Sequence, residues 1–340
     1  MKIFRPSIVL GWLILLPCVL KAGEIESKNL FLLATKAPSV SYKGTRTIIT
    51  WFGSESQAVE AKVYFKPPNL WRQEILNPQG EVSRVVIQKK EAEWIWEEES
   101  KTLIKRPALS SDGFSSNDSL LNWTLANYDA LAKGHDEIMG RSAAIVELAP
   151  QHRGSPSRTV WVDPATGIVL KIKQTNPDGS LVTEVHFTEI DVESELTESL
   201  FEPPKTSQDQ IIIDEPRPVV RGPGDLPDGF RQVPWIEGFP SGFHLAKATL
   251  MPLGEEEKAL HFQYNDGLSV LSFFVSPRPI QAGPRSHQVV LTQYEDPGFV
   301  TSTSAGSVLE WKQEGHYFLL VGDLSQTALQ EIMEFIRSRS

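Results

Sequence analysis

Apolar residues near the start of the chain recur at the spacing of an amphipathic helix. In the segment IESKNLFLLATKAP, the positions that share one helical face are Leu30, Leu33, Ala34 and Ala37. Pro38 follows them and cannot continue a helix. The pattern therefore predicts one amphipathic helix that ends before Pro38.

From Tyr42 onward the spacing of apolar residues changes to two, which is the period of a β-strand. Alternating runs are separated by Gly, Pro, Asn and Ser, and they read GTRTIITWFG, AVEAKVYFKPP, LWRQEIL, VSRVVIQ and EWIWEEE. Parallel strands need a long crossover, whereas these connections are short. The runs therefore predict an antiparallel meander of five strands.

A second helix is predicted over SLLNWTLANYDALAKG, where Leu121, Leu125 and Tyr128 follow helical spacing and Gly134 ends the element. The alternating pattern then returns in AAIVELAP and in SRTVWVDPATGIVLKIKQTNPDGSLVTEVHFTEIDV, which predict four more strands with DPATG and NPDG as turns. A single sheet of this kind has one apolar face to cover. The two helices are expected to cover it.

The second half of the chain repeats the mixture of strands and helix after a proline-rich connector. The connector contains IIID, which is predicted to add an edge strand to either half. Five further strands are predicted at HLAKATLM, ALHFQYNDG, SVLSFFVSP, VLEWKQEG and YFLLVGD. Ser325 is a plausible N-cap for a last helix, whose apolar stripe consists of Leu329, Ile332, Met333 and Ile336.

The N-terminal residues have the organisation of a secretory signal. Lys2 and Arg5 precede the apolar run PSIVLGWLILLPCVL, and the small residues of KAG follow it. Cleavage is expected after Ala22, while an uncleaved anchor and a lipidated Cys18 are the alternatives. Cys18 is the single cysteine of the chain, so a cleaved protein would have no disulfide bond.

Length and composition favour two domains and disfavour some partners. The chain has 340 residues and is 40% hydrophobic, enough for two cores. We expect a signal at 1–22, a first domain at 23–205, a linker at 206–224 and a second domain at 225–340. The formal net charge is −10, which disfavours binding to nucleic acid and to anionic lipid headgroups.

Enzymatic motifs are missing from the sequence. It contains neither a G-x-S-x-G elbow, nor an H-E-x-x-H helix, nor a G-x-x-x-x-G-K-[ST] loop. The seven histidines are scattered, and no pair is three or four residues apart as in many zinc sites. The common enzyme classes therefore lack their signatures, and we expect no catalytic residues, no metal and no cofactor.

Several segments carry a resemblance to a known family. SYKGTRTIITWFG, VYFKPPNLWRQEIL, NPQGEVSRVVIQ and EWIWEEESKTLIKRP resemble the N-terminal domain of the RseB/MucB family of periplasmic sigma-E regulatory proteins, and more distantly the lipoprotein carrier LolA. HFQYNDGLSVLSFFVSP and GSVLEWKQEGHYFLLVGDLSQTALQEIMEFI are similar to the second domain of RseB. That second domain is absent from LolA.

The resemblance implies both a fold and a function. The fold would be α+β, with a LolA-like antiparallel half-barrel around helices and a smaller α+β domain after it. The function would be periplasmic: binding the periplasmic segment of a membrane-anchored anti-sigma factor and shielding it from proteolysis. Lipid or lipopolysaccharide, sensed in the N-terminal cavity, would relieve that shielding. The alternative is a LolA-like carrier of lipids or lipoproteins, and homo-oligomerisation stays open.

Tryptophans are the candidate residues for a lipid cavity, because an indole has a broad apolar face and one N–H group. The candidates are Trp51, Trp71, Trp94, Trp96 and Trp123. In a strand, Trp94 and Trp96 share one face and Ile95 lies on the other. The simpler alternative is that these rings pack helices onto the sheet. Partner-binding residues are expected within 225–340 without individual assignment.

Overall fold

The computed structural model describes residues 26–52, 55–89, 92–107, 118–207, 210–213, 217–254, 257–280, 288–291, 298–303 and 306–339. The predicted signal lies outside these ranges. The described chain is mostly β-strand, arranged in one sheet of twelve strands and another of eight, with three α-helices. No helix within these ranges is long and apolar enough to cross a membrane.

The first sheet is built almost entirely from sequential antiparallel neighbours. Its strands are β1 (Tyr42–Phe52), β2 (Glu55–Lys66), β3 (Leu70–Leu76), β4 (Val82–Lys89), β5 (Ala92–Glu97), β6 (Thr102–Pro107), β7 (Tyr128–Ile138), β8 (Arg141–Pro150), β9 (Ser157–Val162), β10 (Val169–Thr175), β11 (Leu181–Val192) and β12 (Ile211–Ile213). Their order is β12-β6-β5-β4-β3-β2-β1-β11-β10-β9-β8-β7. The predicted strands are confirmed, and β6 is an additional strand of the meander.

Two helices cover one face of this sheet, as the sequence predicts. Helix α1 (26–34) places Phe31, which is 1% exposed, against Val146 and Leu148 of β8. Helix α2 (Asp118–Asn127) packs Leu121 into the same cluster. We call the face that carries α1 and α2 the inner face, and the other face the outer face. Both helices lie over the β7–β10 half of the sheet.

The second predicted helix is too long, and its end is corrected by the structure. Helix α2 ends at Asn127, and Tyr128 begins strand β7. Gly134, the predicted helix end, lies inside β7 with φ of +100°, where the register with β8 shifts. Strand β8 begins just after β7 ends and forms a hairpin with it, so cross-strand hydrogen bonding overrides the helical pattern of the sequence.

The outer face of β3–β5 is covered by segment 196–202, which contains a short 3₁₀-helix at Glu198–Phe201. Phe201 is fully buried and packs against Val85 and Ile87. Lys66 Nζ donates to the carbonyl oxygen of Leu196 at 2.8 Å, and Arg72 Nη1 donates to that of Leu200 at 3.0 Å. An apolar ring and two cationic hydrogen bonds therefore fix this segment on the sheet.

The second sheet is antiparallel and carries the last helix. Its strands are β13 (Val219–Val220), β14 (His244–Pro252), β15 (Lys258–Asn265), β16 (Val270–Ser276), β17 (Gln288–Leu291), β18 (Gly298–Thr303), β19 (Gly306–Gln313) and β20 (His316–Gly322), in the order β13-β14-β15-β16-β20-β19-β18-β17. Helix α3 (Gln326–Arg337) begins after Ser325, whose hydroxyl accepts from the Ala328 N–H. The predicted cap and the buried stripe of α3 are confirmed.

The connector between the sheets contributes a strand to each of them. Strand β12 pairs with β6 and is the one parallel neighbour among the described strands of its sheet. Strand β13 pairs with β14 in the other sheet. The prediction that IIID adds an edge strand is confirmed, since Ile211–Ile213 is β12.

Candidate functional site

A row of aliphatic side chains crosses the inner face where no described helix covers it. The row follows the strand register from β2 through β6 to β12, and its aliphatic members are Val63, Val86, Ile95, Ile104 and Ile212. Gln73 occupies the β3 position between the first two. We call this row the aliphatic ladder. Val63 is fully buried, the three central members are half-buried and Ile212 is 52% exposed, so the ladder from Val86 onward is an apolar surface that a ligand can reach.

Trp71 lies beside the aliphatic ladder on the same face, opposite Gln88 of β4. Its ring is 6% exposed and belongs to a cluster with Tyr42 and Phe65. Trp71 Nε1 and Gln88 Oε1 are both buried without a hydrogen-bond partner. One unpaired donor and one unpaired acceptor next to an apolar surface suit a ligand with an amide or hydroxyl group.

Trp94 and Trp96 lie on the outer face, opposite the aliphatic ladder. The register pairs them with Ile87 and Val85, and both rings pack in the cluster that contains Phe201. Trp96 Nε1 donates to Glu98 Oε2 at 2.8 Å, and Lys105 Nζ lies 4.9 Å from the Trp94 ring centroid. Segment 196–202 covers the cluster, so these indoles pack the outer face here.

The remaining candidate tryptophans occupy two further places. Trp51 alternates with Thr50 of the inner face and so projects from the outer face of β1. Trp123 of α2 stacks on His244 of β14, with ring centroids 5.3 Å apart. The five candidates therefore do not share one surface, and a lipid contact of any of them stays a prediction. The aliphatic ladder, which strand register reveals, was not among the candidates.

The two sheets meet at a buried polar junction. Tyr128 of β7 is 2% exposed, and its hydroxyl donates to Asp266 Oδ2 at 2.7 Å. Asp266 is 1% exposed and accepts on its other oxygen from the backbone N–H groups of Leu268 and Ser269. Asn127 Nδ2 donates to the Gly242 and Asp266 carbonyl oxygens, both at 2.9 Å.

Charged groups continue the junction on its other side. Arg158 Nη2 donates to Gln174 Oε1 at 2.9 Å, and Gln174 Nε2 donates to Asp323 Oδ2 at 3.3 Å. Burial raises the pKa values of Asp266 and Asp323 and lowers that of the Arg158 guanidinium. Burial also raises the pKa of the Tyr128 hydroxyl. Hydrogen bonds to Asp266 oppose the effect of its burial and favour the carboxylate.

Close backbone contact accompanies these hydrogen bonds. Gly267 has φ of +106°, and a Cβ atom there would lie 2.2 Å from the backbone nitrogen of Thr124 in α2. A Cβ atom on Gly242, at φ +83°, would lie 2.2 Å from Asn127 Oδ1. Both positions require glycine for conformation and for space. Loops of the second sheet thus lie directly against the end of α2.

The described part of both surfaces was compared with the side-chain groupings that bind metal ions. Among the residues that the structure describes, no group of three or more His, Cys, Asp or Glu side chains is placed to hold a metal ion. The arrangement offers instead an apolar surface and a hydrogen-bonded junction. Both are suited to reversible binding.

Comparison with known proteins identifies one family. Residues 41–205 match the MucB/RseB N-terminal domain family. A curated relative, the sigma factor AlgU regulatory protein MucB of Pseudomonas aeruginosa, is 27% identical over 153 residues, which is 44% of this chain and 44% of the relative. The sequence match therefore spans less than half of that protein.

Solved structures of MucB share the fold over most of the chain. The MucB of a Pseudomonas aeruginosa MucA/MucB complex superposes with a TM-score of 0.59, covering 90% of this chain and 96% of that one at 14% identity. MucB in complex with MucA(peri) gives a TM-score of 0.56, covering 91% and 96% at 16% identity. Because these matches cover 90% and 91% of this chain, they include residues of both sheets. Residues 41–205 of this chain form an N-terminal domain of the MucB/RseB family.

Proposed function

We propose that this chain is a periplasmic regulator of a sigma-factor pathway, which binds the periplasmic segment of a membrane-anchored anti-sigma factor and shields it from proteolysis. The observation that carries this proposal is the similarity of fold over 90% of the chain to a MucB that was solved with MucA. A relative described as a sigma factor regulatory protein supports the pathway. The regulation is a competition between binding equilibria and requires no covalent step.

We assign a separate domain, with its own role, to each of the two sheets. Residues 23–205 would form a LolA-like half-barrel domain and 225–340 a smaller α+β domain that binds the partner, with 206–224 as their linker. The twelve-stranded and eight-stranded sheets support this division. Strand β12, inside the linker, belongs to the first sheet. Residues 1–22 would direct the chain to the periplasm.

Lipid sensing is proposed for the aliphatic ladder. Neighbouring strands lie about 4.8 Å apart, so the three steps from Val86 to Ile212, the partly exposed members, extend for about 14 Å. That length suits an extended acyl chain, and the unpaired Trp71 and Gln88 groups beside it suit a polar linkage near the headgroup. Lipid bound here would weaken anti-sigma binding through the junction, because β7 and α2 contribute to both the first sheet and the junction.

A pair of neighbouring residues tests the lipid proposal. Ile104 points to the inner face and Lys105 to the outer face of β6. Ile104→Asp should abolish binding of a fluorescent fatty acid and of lipopolysaccharide micelles, since it places a charge within the aliphatic ladder. Lys105→Asp, with a larger change of net charge, should leave binding intact. Equal effects of the two variants would contradict a site on the inner face.

A LolA-like carrier is the second candidate, because an accessible aliphatic ladder also suits transport of an acyl chain. Crosslinking in the native host, followed by purification of the tagged full-length chain and mass spectrometry, separates the two functions. A regulator should retain a single-pass membrane protein with an anti-sigma-like cytoplasmic domain. Recovery of lipoproteins or acyl lipids alone would establish the carrier and reject the regulator.

A further inference from the structure

The connector between the sheets supplies the most exposed member of the aliphatic ladder. Ile212 of β12 lies beside Ile104 of β6 in the parallel register, on the inner face. Ile212 is 52% exposed, whereas the members from Val86 to Ile104 are half-buried. A ligand that covers the ladder from Val86 onward therefore also covers a residue of the connector.

Strand β12 has few contacts that hold it on the sheet. It has three residues and is an edge strand among the described strands, next to β6. The pairing is parallel, which is slightly less stable per residue than antiparallel pairing. Ile211 is half-buried and pairs with Leu103, whereas Ile212 and Ile213 are 52% and 64% exposed. Two of the three side chains thus gain little from docking on β6.

The chain on either side of β12 is fixed independently of it. Before β12, Phe201 is fully buried, and segment 196–202 accepts hydrogen bonds from Lys66 and Arg72. After β12, Val220 is 5% exposed and belongs to the core of the second sheet. Short segments with few buried contacts open locally, at a lower cost in free energy than global unfolding. Strand β12 has the properties of such a segment.

We infer that β12 is a clasp closed by ligand: a lipid on the aliphatic ladder contacts Ile212 and holds β12 on β6, whereas without lipid β12 docks and releases in equilibrium. This inference rests on the lipid proposal and adds to it a ligand contact that the connector supplies. Lipid binding and β12 docking favour each other by the same factor, because such linkage is reciprocal. The connector, where the chain passes from the first sheet to the second, thus responds to occupancy of the ladder.

The exposed half of one side chain determines the size of this linkage. Covering half of an Ile side chain corresponds to a change of about four- to tenfold in an equilibrium constant. A lipid should therefore bind the docked state about four- to tenfold more tightly than the released state. The docking equilibrium of β12 shifts by the same factor when lipid saturates the ladder.

Hydrogen–deuterium exchange of the full-length chain measures the clasp directly. Saturation with a fluorescent fatty acid should slow the exchange of the β12 amide groups about four- to tenfold. Segment 196–202 is the internal control, because it lies on the outer face of the same sheet, and its exchange should stay constant. Equal slowing of both segments would show a general stabilisation of the sheet and would reject the clasp.

Two neighbouring residues of β12 form a matched pair of variants. Ile212→Thr removes the apolar side chain from the inner face and keeps a β-branched residue, which favours a strand. The affinity for the fluorescent fatty acid should fall about four- to tenfold. Ile213→Thr makes the same change on the outer face, away from the ladder, and should keep the wild-type affinity.

A third variant weakens docking without touching the inner face. Ile211→Asp places a charge beside Leu103, which is 3% exposed, so β12 should leave β6 more often. The affinity for the fatty acid should fall, although residue 211 does not face the ladder. Adding Ile212→Thr should lower the affinity little further, because both changes remove the same contact. Full additivity of the two losses would contradict a role of docking.

The outcomes separate the clasp from the lipid proposal. A wild-type chain that binds neither the fatty acid nor lipopolysaccharide micelles would reject both. If the wild type binds lipid and the exchange of β12 does not change, the clasp is rejected and the lipid proposal is retained. Equal affinities of Ile212→Thr and the wild type, or equal losses in Ile212→Thr and Ile213→Thr, would also reject the clasp alone.

Discussion

Removing one hydroxyl group from the junction should reveal how strongly the two sheets are coupled. Tyr128→Phe deletes the donor to Asp266 Oδ2, at 2.7 Å, between residues that are 2% and 1% exposed. Hydrogen bonds to charged groups contribute about 1.5–3 kcal/mol. We expect the free energy of unfolding at pH 7.5 to fall by about 2 kcal/mol, measured by urea denaturation with circular dichroism.

Tyr264→Phe is the matched control for this loss. The Tyr264 hydroxyl is also buried, and it donates to the neutral carbonyl oxygen of Ile236 at 2.9 Å within the second half of the chain. A hydrogen bond between neutral groups contributes only about 1 kcal/mol. The difference between the two variants therefore reports the charge of Asp266.

The stability loss of Tyr128→Phe should also depend on pH, in a direction that the pKa of Asp266 determines. Burial raises the pKa of Asp266, and the Tyr128 hydroxyl opposes that rise, so Tyr128→Phe should raise it further. A carboxyl group with a raised pKa binds protons more readily in the folded protein, so its contribution to stability grows as the pH falls. The deficit of Tyr128→Phe should shrink between pH 7.5 and 4.5, whereas that of Tyr264→Phe should stay constant. Equal deficits, or parallel changes with pH, would refute the coupling.

Three further predictions concern other parts of the chain. Phe201→Ala should cost about 3–5 kcal/mol in urea unfolding, because the ring is fully buried; a loss below about 1 kcal/mol would show that segment 196–202 is not fixed by it. Gly267→Ala should destabilise by at least about 2 kcal/mol and Gly315→Ala by about 1, since both have positive φ but only the first meets backbone atoms; equal melting temperatures would contradict this. Burial, and then the charges of Arg217 and Lys247, lower the pKa of His261 to about 4. The folded protein therefore binds this proton less readily than the unfolded chain, and the free energy of unfolding should fall as the pH drops from about 6.5 to 4. An NMR titration midpoint of His261 near the ordinary value would exclude this assignment.

Local periodicity was sufficient for most strands and for the helices α1 and α3. It failed at β7, because Leu121, Leu125 and Tyr128 continue a helical spacing past the point where pairing with β8 takes over. Strand β6, TLIKRP, was missed because its apolar residues Leu103 and Ile104 are adjacent and give no alternation. Both strands lie in hairpins, β7 with β8 and β6 with β5, where cross-strand pairing decides the conformation and the spacing within the strand itself does not.

The candidate site was harder to predict than the fold. Alternation alone separated Trp94 and Trp96 from Ile95, but it could not say which face the helices cover. The aliphatic ladder became visible only with the register of six strands. The junction depends on Tyr128 and Asp266, which are separated by 138 residues in the chain, so no local pattern announces their hydrogen bond.

The connector also limits how far the two sheets could separate if the junction opened. Ile213 ends β12 on one sheet and Val219 begins β13 on the other, so the six peptide units between them extend no further than about 21 Å. Sheets held by so short a tether keep an effective concentration in the millimolar range. Re-closure would then be an intramolecular event with a rate independent of protein concentration. A partner that inserts between the sheets would compete with the contact that each sheet makes with the other.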